Sequence, residues 1–494
     1  MKKVLVNNCD VVTNGFRGIN FIHQLYNYMP DDCNRLNTPE LIELEHKTLK
    51  KMGVKQVRSF YGSSLSWDAE KGVHNFENEW MQAFYKNCKD MEKLGIEVGI
   101  TPQWNMKGLF KKAADGHSGV HLHYNGCLVE GDLETTAKNF EKFIEESVLA
   151  FERHGVTNVK YLYCFTECNN SFTDFMPNIR LKRQYDKLIP LYDRFVRAVD
   201  QGLKNAGMRD RYKIVGPCDN WRADDGSEPY SILTKYIAEN LADVIDIIGA
   251  HNGYDRGVSY SNEDFYDIPF PKLTDPKVRA EALGKEYWVD EWNVELHSSY
   301  SAKQKIATYS DPMRGVAFGA MVNSLMNMGG IHNVLIWALY SQQWPNNHCG
   351  GDGSASEFID GVQRIGYIQN LRQGTTPTKA WYAVSMLTRF VGSGKVYGSS
   401  IARPIYASAI DRDDGEFTVV VTSYSKEPVE IEVQFAKSLE GKTLYRYLYN
   451  PQTVTATPEA NMIKSDLVKE GVTEAFTDSL PGCCVAVYTT EKAD

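Results

Sequence analysis

Residues 159–170 read VKYLYCFTECNN, a short apolar run that ends in a cluster of polar residues. Residues 287–293, YWVDEWN, repeat the pattern, with Glu167 at the end of the first run and Glu291 at the end of the second. Brief, mostly apolar runs of this kind are typical of strands that are buried on both faces, as in parallel sheets covered by helices. The two stretches therefore predict buried parallel strands whose polar ends carry the chemistry.

Outward from these stretches, short apolar runs alternate with longer amphipathic segments between residues 15 and 340, which is typical of repeated strand–helix units. Eight strand candidates follow from this alternation. They are Gly18 to Ile22, Val54 to Phe60, Glu97 to Pro102, Val159 to Phe165, Lys213 to Pro217, Val244 to Ala250, Tyr287 to Asp290 and Val334 to Leu339.

The segments between the strands predict helices, most clearly Leu181 to Leu203, where apolar residues recur at i+3 and i+4 spacing. Thr38 to Met52 has Thr38 or Asn37 as its N-cap residue, Pro39 at the first helical position and a glycine after its end. Leu133 to His154 is a third helix. Eight such units predict a closed (β/α)8 TIM barrel, with a doubly wound open sheet as the alternative.

The composition becomes strand-rich after a helix predicted at Thr378 to Phe390, which indicates a C-terminal antiparallel β-sandwich over residues 394–494. We assign residues 15–393 to the barrel and residues 1–14 to an N-terminal strand that joins the sandwich. The strands predicted in the sandwich are Ile405 to Ile410, Phe417 to Ser423, Val429 to Phe435, Thr443 to Leu448 and Cys484 to Thr489.

Charge and composition narrow the class of protein. The net charge of -9 gives no basic excess for nucleic acid or an anionic membrane, so neutral or weakly charged substrates fit better. The first residues, MKKVLVNN, do not resemble a signal peptide, and no run reaches the ~20 apolar residues of a membrane span. The ten cysteines lack a CxxC pair, which argues against a zinc site and a disulfide framework. We expect a cytoplasmic protein with reduced thiols, and a homo-oligomer stays open.

Glu167 and Glu291 end strands four and seven, which face each other across an eight-stranded barrel. Cleavage of a glycosidic bond needs one carboxylic acid to protonate the leaving oxygen and one carboxylate to attack the anomeric carbon. A single rim glutamate can equally be a solvated residue or a salt-bridge partner. Of the neighbouring acidic residues, Asp290 should point away from Glu291 by strand alternation, and Glu286 and Glu295 look structural.

Glutamates at these two strand ends resemble clan A of the glycoside hydrolases, in which the first is the acid/base and the second the nucleophile. Arg58, at the end of strand two, is similar to the clan's arginine that keeps the nucleophile ionised. His251 and Tyr254, after strand six, are similar to the residues that touch the nucleophile. The resemblance further implies that Trp337, at the end of strand eight, is the aromatic floor of a sugar subsite.

Within the clan, three features resemble family 39, the β-xylosidase and α-L-iduronidase family. They are the Gly216-Pro217 strand end, the Glu291-Trp292-Asn293 run and the sandwich. One residue departs from the clan pattern. The acid/base usually follows an asparagine that bonds the sugar 2-hydroxyl, whereas Thr166 stands here with a single hydroxyl. Asn20, Asn169 or Asn170 could replace the missing contact.

Further candidate sugar contacts lie at the predicted rim. His23 follows strand one, although a structural histidine fits equally well. The aromatic candidates are Trp104, Trp221, Trp337 and Trp344. A single tryptophan is more often a core residue than a sugar contact, and Trp104 and Trp337 are the preferred candidates of the four.

Two other patterns are weaker. His121 and His123 form an HxH that can bind zinc, but they lie deep in the loop after strand three. Residues 392–395, GSGK, lack the first glycine of a phosphate loop, because position 389 is Arg389. The Gly-rich residues 346–356 are interpreted as a rim loop, and we expect no cofactor and no metal.

The sequence thus predicts a retaining glycoside hydrolase that removes a terminal sugar from small oligosaccharides through a covalent glycosyl-enzyme. A transglycosylase with the same two glutamates and a non-catalytic carbohydrate-binding barrel are the alternatives. The sugar, its linkage and its anomer are not readable from these residues.

Overall fold

The structure is a computed structural model. It describes residues 3–23, 39–62, 65–68, 71, 73–102, 110–111, 128–129, 133–166, 185–220, 232–251, 270–294, 311–340, 342–343, 358–359, 362–363, 366–368, 376–399, 404–435 and 437–493.

Within these residues the chain begins with a long strand and then forms eight parallel strands that close into a barrel. The first strand is β1 (Lys3–Phe16). The barrel strands are β2 (Ile19–Ile22), β3 (Gln56–Phe60), β4 (Glu97–Thr101), β5 (Val159–Tyr163), β6 (Lys213–Asn220), β7 (Ile247–His251), β8 (Glu286–Trp292) and β9 (Asn333–Ile336). Their order around the barrel is β6-β7-β8-β9-β2-β3-β4-β5, so the sequence prediction of a (β/α)8 barrel is confirmed.

One helix follows each barrel strand in the described part of the chain. The helices are α1 (Pro39–Met52), α2 (Glu79–Lys93), α3 (Leu133–Arg153), α4 (Tyr185–Asn205), α5 (Ile232–Tyr236), α6 (Phe270–Ala282), α7 (Met313–Met328) and α8 (Lys379–Val391). A π-helical turn, Ile237–Leu241, extends α5, and a 3-10 turn, Arg209–Arg211, precedes β6. Helix α1 begins at Pro39 and is followed by Gly53 with a φ of 68°, as its sequence signals predict.

Short two-residue strands complete the secondary structure of the connecting segments. They are Trp67–Asp68 with Val73–His74, Phe110–Lys111 with Leu128–Val129, and Gln342–Gln343, Phe358–Ile359 and Val362–Gln363 in one small sheet.

The C-terminal part forms a second, antiparallel layer of strands. They are β10 (Gly394–Ser399), β11 (Ile405–Arg412), β12 (Phe417–Ser423), β13 (Val429–Gln434), β14 (Leu444–Tyr449), β15 (Ser465–Lys469), β16 (Ala475–Leu480) and β17 (Cys484–Thr489). With β1 they give the nine-stranded order β15-β14-β17-β12-β11-β10-β1-β13-β16. Apolar side chains from strands that are not neighbours in this order, such as Ile431 on β13 and Val419 on β12, share one core cluster, which is the packing of a sandwich.

Strand β1 connects the two ends of the chain. Its first half, from Lys3 to Asn7, pairs in parallel with β13, and its second half, from Asn8 to Phe16, pairs with β10 in antiparallel register. The chain then passes directly into β2 of the barrel. The sandwich is therefore built from both ends of the described chain, and one continuous strand links it to the first barrel strand.

Helix α7 holds the barrel against the sandwich. Its residues from Arg314 to Met326 are buried on every side, as expected for a helix enclosed between two layers. A Cβ at Gly319 would lie 2.6 Å from the hydroxyl of Thr422 and 2.7 Å from a methyl group of Val485 in the sandwich. The close approach of helix and sheet therefore depends on a residue without a side chain.

The amino-terminal mouth of the barrel is filled by a charged cluster. Arg17 donates hydrogen bonds from two nitrogens to the carboxylate of Glu286, at 2.9 and 2.8 Å. The indole of Trp288 donates to the same carboxylate, and the hydroxyl of Tyr161 donates to Glu97 at 2.8 Å. The interpretation of Glu286 as a structural residue agrees with this position.

No described helix is long and apolar enough to cross a membrane.

Candidate active site

The opposite, carboxyl-terminal mouth of the barrel brings together five polar residues from five strand ends. Arg58 comes from β3, Thr101 from β4, Thr166 from the residues after β5, His251 from β7 and Glu291 from β8. Ends of parallel strands meet at this rim in every barrel of the class, which is why active sites form there. The structure thus brings together four predicted residues, Arg58, Thr166, His251 and Glu291, and their roles stay predictions.

Arg58 is the centre of this group, and its side chain is fully buried. Its Nε donates a hydrogen bond of 2.9 Å to Thr101 Oγ1, and its Nη2 donates to Thr166 Oγ1. Its Nη1 donates to the backbone carbonyl of Asp290 at 2.9 Å. One guanidinium therefore joins the ends of β4, β5 and β8, which a lysine with a single ammonium could not do.

Electrostatics keep Arg58 charged despite its burial. Burial opposes the charge, but the negative charges of Asp290 and Glu291 outweigh it, and the pKa of the Arg58 guanidinium is raised above its usual value. The ring of Tyr163 lies 4.6 Å from the guanidinium carbon, in the geometry of a cation–π contact. The site thus contains a fixed positive charge beneath its carboxylates.

Glu291 is the carboxylate of this group that reaches the surface. Its side chain is 15% exposed, whereas those of Arg58 and His251 are 0% and 1% exposed. Its Oε2 lies 3.8 Å from Arg58 Nη1 and 3.7 Å from His251 Nε2. The nearby guanidinium favours the charged form of Glu291, and partial exposure leaves that carboxylate open to a ligand.

The prediction that Asp290 points away from Glu291 is wrong. Asp290 Oδ2 lies 3.6 Å from the same Arg58 Nη1, and Asp290 Oδ1 lies 3.8 Å from the same His251 Nε2. The physical reason is a break in the register of β8: Ala250 pairs with Val289, but the next residue, His251, pairs with Glu291. The extra residue is a β-bulge, and bulges re-aim side chains beside active sites.

The residue two positions after Glu291 fixes this strand end, a role that is not predicted from the sequence. Asn293 donates from its amide to the carbonyl of Trp337 at the end of β9. Its Oδ1 accepts hydrogen bonds of 2.9 Å from both Arg314 Nη2 and the Tyr367 hydroxyl. Arg314 also lies 4.0 Å over the Tyr367 ring. Only the proximity of Asn293 to Glu291 in the sequence could have indicated this role.

Trp337 lies where the sequence places it, at the end of β9. Its side chain is 4% exposed and packs edge-to-face on Phe60, with ring centroids 5.5 Å apart. The Trp337–Ala338 peptide is cis. Stacking of a sugar on this indole stays a prediction.

The prediction that Asn20 contacts a sugar is wrong. Its side chain is 1% exposed, and its Nδ2 donates to Asn333 Oδ1 at 2.9 Å. Its Oδ1 accepts from the backbone amides of Lys55 and Gln56. Both ends of the amide are therefore used inside the barrel, which leaves Asn20 no group for a ligand.

His23 has the structural role that the sequence argument held open as the alternative. Its side chain is 2% exposed, and its Nε2 lies 3.1 Å from Oε1 of Glu45, which is fully buried on α1. Its ring also lies 6.0 Å from that of Tyr340. These contacts join α1 to the ends of β2 and β9, so His23 is withdrawn as a sugar contact.

Four predicted site residues lie outside the described residues: Glu167, Asn170, Trp104 and Tyr254. The same holds for the other candidates Asn169, Trp221, Trp344, His121 and His123. Glu167 directly follows Thr166 in the sequence. Among the residues that are described, no group of three or more His, Cys, Asp or Glu side chains could hold a metal ion.

Comparison with known proteins gives matches at the level of structure. No protein family model and no curated protein sequence matches the chain. The catalytic domain of family 30 xylanase C from Talaromyces cellulolyticus is 12% identical, with 98% of this chain and 99% of that chain covered and a TM-score of 0.64. A family 30 subfamily 8 xylanase from Clostridium acetobutylicum is 14% identical, with 98% of both chains covered and a TM-score of 0.60.

A third solved structure, the α-L-arabinofuranosidase from Thermotoga maritima in complex with arabinose, is 15% identical over 99% of both chains, with a TM-score of 0.59. Near-complete coverage of both partners shows that the fold, a TIM barrel with a β-rich second domain, is shared from end to end. The resemblance to family 39 in particular receives no support from these three structures.

Proposed function

We propose that the chain is a retaining glycoside hydrolase, with Glu291 as the nucleophile and Glu167 as the general acid/base. The observation that carries this proposal is the position of Arg58, which contacts Glu291 and also donates to Thr166, the residue directly before Glu167. A single buried cation thus links the two strand ends that bear the predicted catalytic pair. Two carboxylic groups on opposite strands of one rim are what glycoside hydrolysis requires.

In the first step, a carboxylate oxygen of Glu291 attacks the anomeric carbon of the sugar. The bond from that carbon to the leaving oxygen breaks with its electron pair, and the leaving oxygen takes the proton of Glu167. The product is an ester between the sugar and Glu291, and the aglycone leaves. Arg58 stabilises the negative charge of the Glu291 carboxylate, and the 15% exposure of Glu291 lets it reach a sugar. Both properties suit Glu291 for this attack.

In the second step, water gives a proton to the Glu167 carboxylate while its oxygen attacks the anomeric carbon. The ester bond breaks, its electron pair returns to Glu291, and the sugar is released with its original anomeric configuration. This route requires the two carboxyl groups to lie about 5 to 5.5 Å apart.

For the substrate, we propose an uncharged sugar at the end of a small oligosaccharide or glycoside. The net charge of -9 disfavours anionic substrates and nucleic acid as partners. The solved structures of similar fold are described as xylanases, an endo-β1,6-glucanase and arabinofuranosidases, so pentosides and hexosides are both tested.

The experiment measures hydrolysis of aryl xyloside, glucoside, galactoside, arabinoside and glucuronide by the wild type, Glu167→Ala and Glu291→Ala, with and without azide. We expect both variants to lose activity. Azide should restore Glu291→Ala and give a glycosyl azide of inverted configuration, because azide attacks the bound aryl glycoside directly and displaces the phenol. In Glu167→Ala the azide product should have retained configuration, because azide attacks the glycosyl-enzyme and displaces Glu291.

The matched control is Glu286→Gln, which changes a carboxylate of the same strand β8 at the opposite mouth of the barrel and should keep its activity. Full activity in either glutamate variant would contradict the assignment. Sugar binding without hydrolysis across the panel would favour the non-catalytic alternative, and transfer to an added sugar acceptor in place of water would favour the transglycosylase.

A further inference from the structure

The site contains a second carboxylate that the reaction above does not use. Asp290 is fully buried, and its two oxygens lie 3.6 Å from Arg58 Nη1 and 3.8 Å from His251 Nε2. The thiol of Cys218 on β6 also faces this carboxylate. A fully buried carboxylate is costly, so its place beside Arg58 needs a reason.

Asp290 and Glu291 share the same cation at nearly the same distance. Arg58 Nη1 lies 3.6 Å from Asp290 and 3.8 Å from Glu291, and it also holds the backbone carbonyl of Asp290. The two carboxylates differ in exposure, at 0% for Asp290 and 15% for Glu291. Glu291 can therefore reach a substrate, whereas Asp290 is confined to Arg58.

The charge of the site changes when Glu291 reacts. As a free carboxylate, Glu291 compensates the guanidinium, but as an ester it is neutral and no longer does so. A fully buried guanidinium cannot lose its proton, and an unpaired charge in the barrel interior is strongly unfavourable. Some other anion must compensate Arg58 while the glycosyl-enzyme exists.

We propose that Asp290 is the permanent counter-ion of Arg58 and, through it, a positioning residue for Glu291. It compensates the guanidinium throughout the cycle, and it limits how strongly Arg58 stabilises the free Glu291 carboxylate. Glu291 is thereby a better nucleophile, and the ester is not destabilised by a bare cation beneath it. This inference rests on the proposed double-displacement function.

The other groups that face the two carboxylates do not replace Asp290. Burial, and then the charge of Asp290, raises the pKa of the Cys218 thiol on β6 well above its usual value, and burial does the same for the Tyr163 phenol on β5. Burial also raises the pKa of Tyr287 on β8 itself, so all three stay neutral. His251 on β7 adds a second positive charge when it is protonated, which increases the need for an anion.

The first test compares the wild type with Asp290→Asn on the aryl glycoside found by the substrate panel. We expect the acid limb of the kcat/KM profile to move to lower pH by about one unit, because Glu291 then faces Arg58 without a competing anion. With a poor leaving group such as phenol, kcat/KM should fall about tenfold. With dinitrophenol as leaving group, less glycosyl-enzyme should accumulate, since Glu291 becomes the better leaving carboxylate.

The matched control is Glu97→Gln, which removes one negative charge from the same barrel at its opposite mouth, where Glu97 accepts from Tyr161. It should leave the acid limb and the leaving-group dependence unchanged. An acid limb that does not move in an active, folded Asp290→Asn enzyme would overturn the inference and leave the proposed function standing.

A second measurement needs neither activity nor a folded Asp290→Asn protein. Thermal unfolding is compared between Arg58→Met and Arg58→Met/Asp290→Asn. If Asp290 is the counter-ion of Arg58, its buried charge has no partner in the single variant, and the double variant should melt higher. A double variant that melts lower than Arg58→Met would overturn the inference, whatever the enzyme assays give.

Discussion

Arg58 Nη2 donates a hydrogen bond to Thr166 Oγ1, and this contact ties the guanidinium beside Glu291 to the strand end that leads into Glu167. The guanidinium also bonds Thr101 and the carbonyl of Asp290, so three strands are fixed by one side chain. The guanidinium thus adds side-chain bonds between strands that the barrel joins through backbone hydrogen bonds. Arg58 therefore has a geometric role as well as an electrostatic one.

Arg58→Lys separates these two roles. Lysine keeps the positive charge, but it loses the planar fork that reaches three acceptors. We expect kcat/KM on the preferred aryl glycoside to fall by about 10²-fold, since misplacing groups near the reacting centre by about 1 Å has such an effect. Steady-state kinetics with active-site titration would measure the loss.

A suitable control is Arg17→Lys at the opposite mouth, where the side chain pairs with Glu286. It should reduce stability and leave kcat/KM within a factor of about two or three. Arg58→Lys with near wild-type kcat/KM would mean that charge alone suffices and that the hydrogen bond to Thr166 is dispensable.

The pair of Arg17 and Glu286 predicts a pH-dependent part of the stability. Burial alone would raise the pKa of Glu286, but the hydrogen bonds from Arg17 and Trp288 and the charge of Arg17 outweigh it, and the pKa is lowered. A carboxyl with a lowered pKa in the folded state contributes stability above its unfolded pKa and loses it as the pH falls through the lowered value. The contribution should therefore be present at pH 7 and lost in acid.

Glu286→Gln should lower the free energy of unfolding by about 1 kcal/mol at pH 7, a value reduced for the one-third exposure of the pair. The difference from the wild type should close as the pH falls below the ordinary range of glutamate. Denaturant unfolding at several pH values would measure it. Glu440→Gln, at an exposed turn, is the control, and a difference that stays constant with pH would contradict the ion-pair explanation.

The particular residues show how far the sequence determines this fold. All eight barrel strands are apolar runs, and a buried parallel strand needs little else, so their positions follow from the sequence alone. In the sandwich, β15 and β16 escaped prediction, because SDLVK and AFTDSL are edge strands with many polar residues and lack an apolar run. Strand β10, GKVYGS, is similarly short of apolar residues.

The candidate site is less readable from the sequence. Arg58, His251, Thr166 and Glu291 converge as expected, because strand ends meet at one rim. Asn20 was wrongly assigned to the substrate, and for His23 the structural alternative holds, since the sequence does not show that Asn333, Gln56 and Glu45 lie beside them. The bulge that turns Asp290 toward Arg58 depends on strand pairing, which no local pattern indicates. The cytoplasmic location and the oligomeric state stay predictions.

His74 predicts a second pH effect, away from the site. Its ring packs against Phe76 and Phe143, and its Nδ1 lies 2.8 Å from the hydroxyl of Ser66. Burial lowers the pKa of His74 to about 4. A histidine that must stay neutral in the fold loses stability as the pH falls from its unfolded pKa of about 6.5 toward that value.

His74→Gln should remove this slope. Between pH 7 and pH 4.5 the wild type should lose about 2 kcal/mol more stability than the variant, after allowance for partial exposure of the ring. Gln452→Ala is the control, because it changes an exposed, uncharged side chain and should keep the slope of the wild type. Parallel pH profiles for the wild type and His74→Gln would contradict the burial argument.

Gly319 predicts that the sandwich and the barrel unfold as one unit. A Cβ at this position of α7 would lie 2.6 Å from Thr422 Oγ1 and 2.7 Å from a Val485 methyl group, both in the sandwich. Gly319→Ala must therefore push α7 away from β12 and β17, although alanine favours a helix. We expect a loss of about 1 to 3 kcal/mol in the free energy of unfolding, as for other overpacked cores.

Ser324→Ala on the same helix, which removes a hydroxyl that donates to the Ala320 carbonyl in its own turn, should change stability by less than about 1 kcal/mol. Calorimetry is the measurement: a single transition that moves to lower temperature would show one cooperative unit, whereas a Gly319→Ala protein that melts like the wild type would mean that the helix and the sandwich are not held together at this contact.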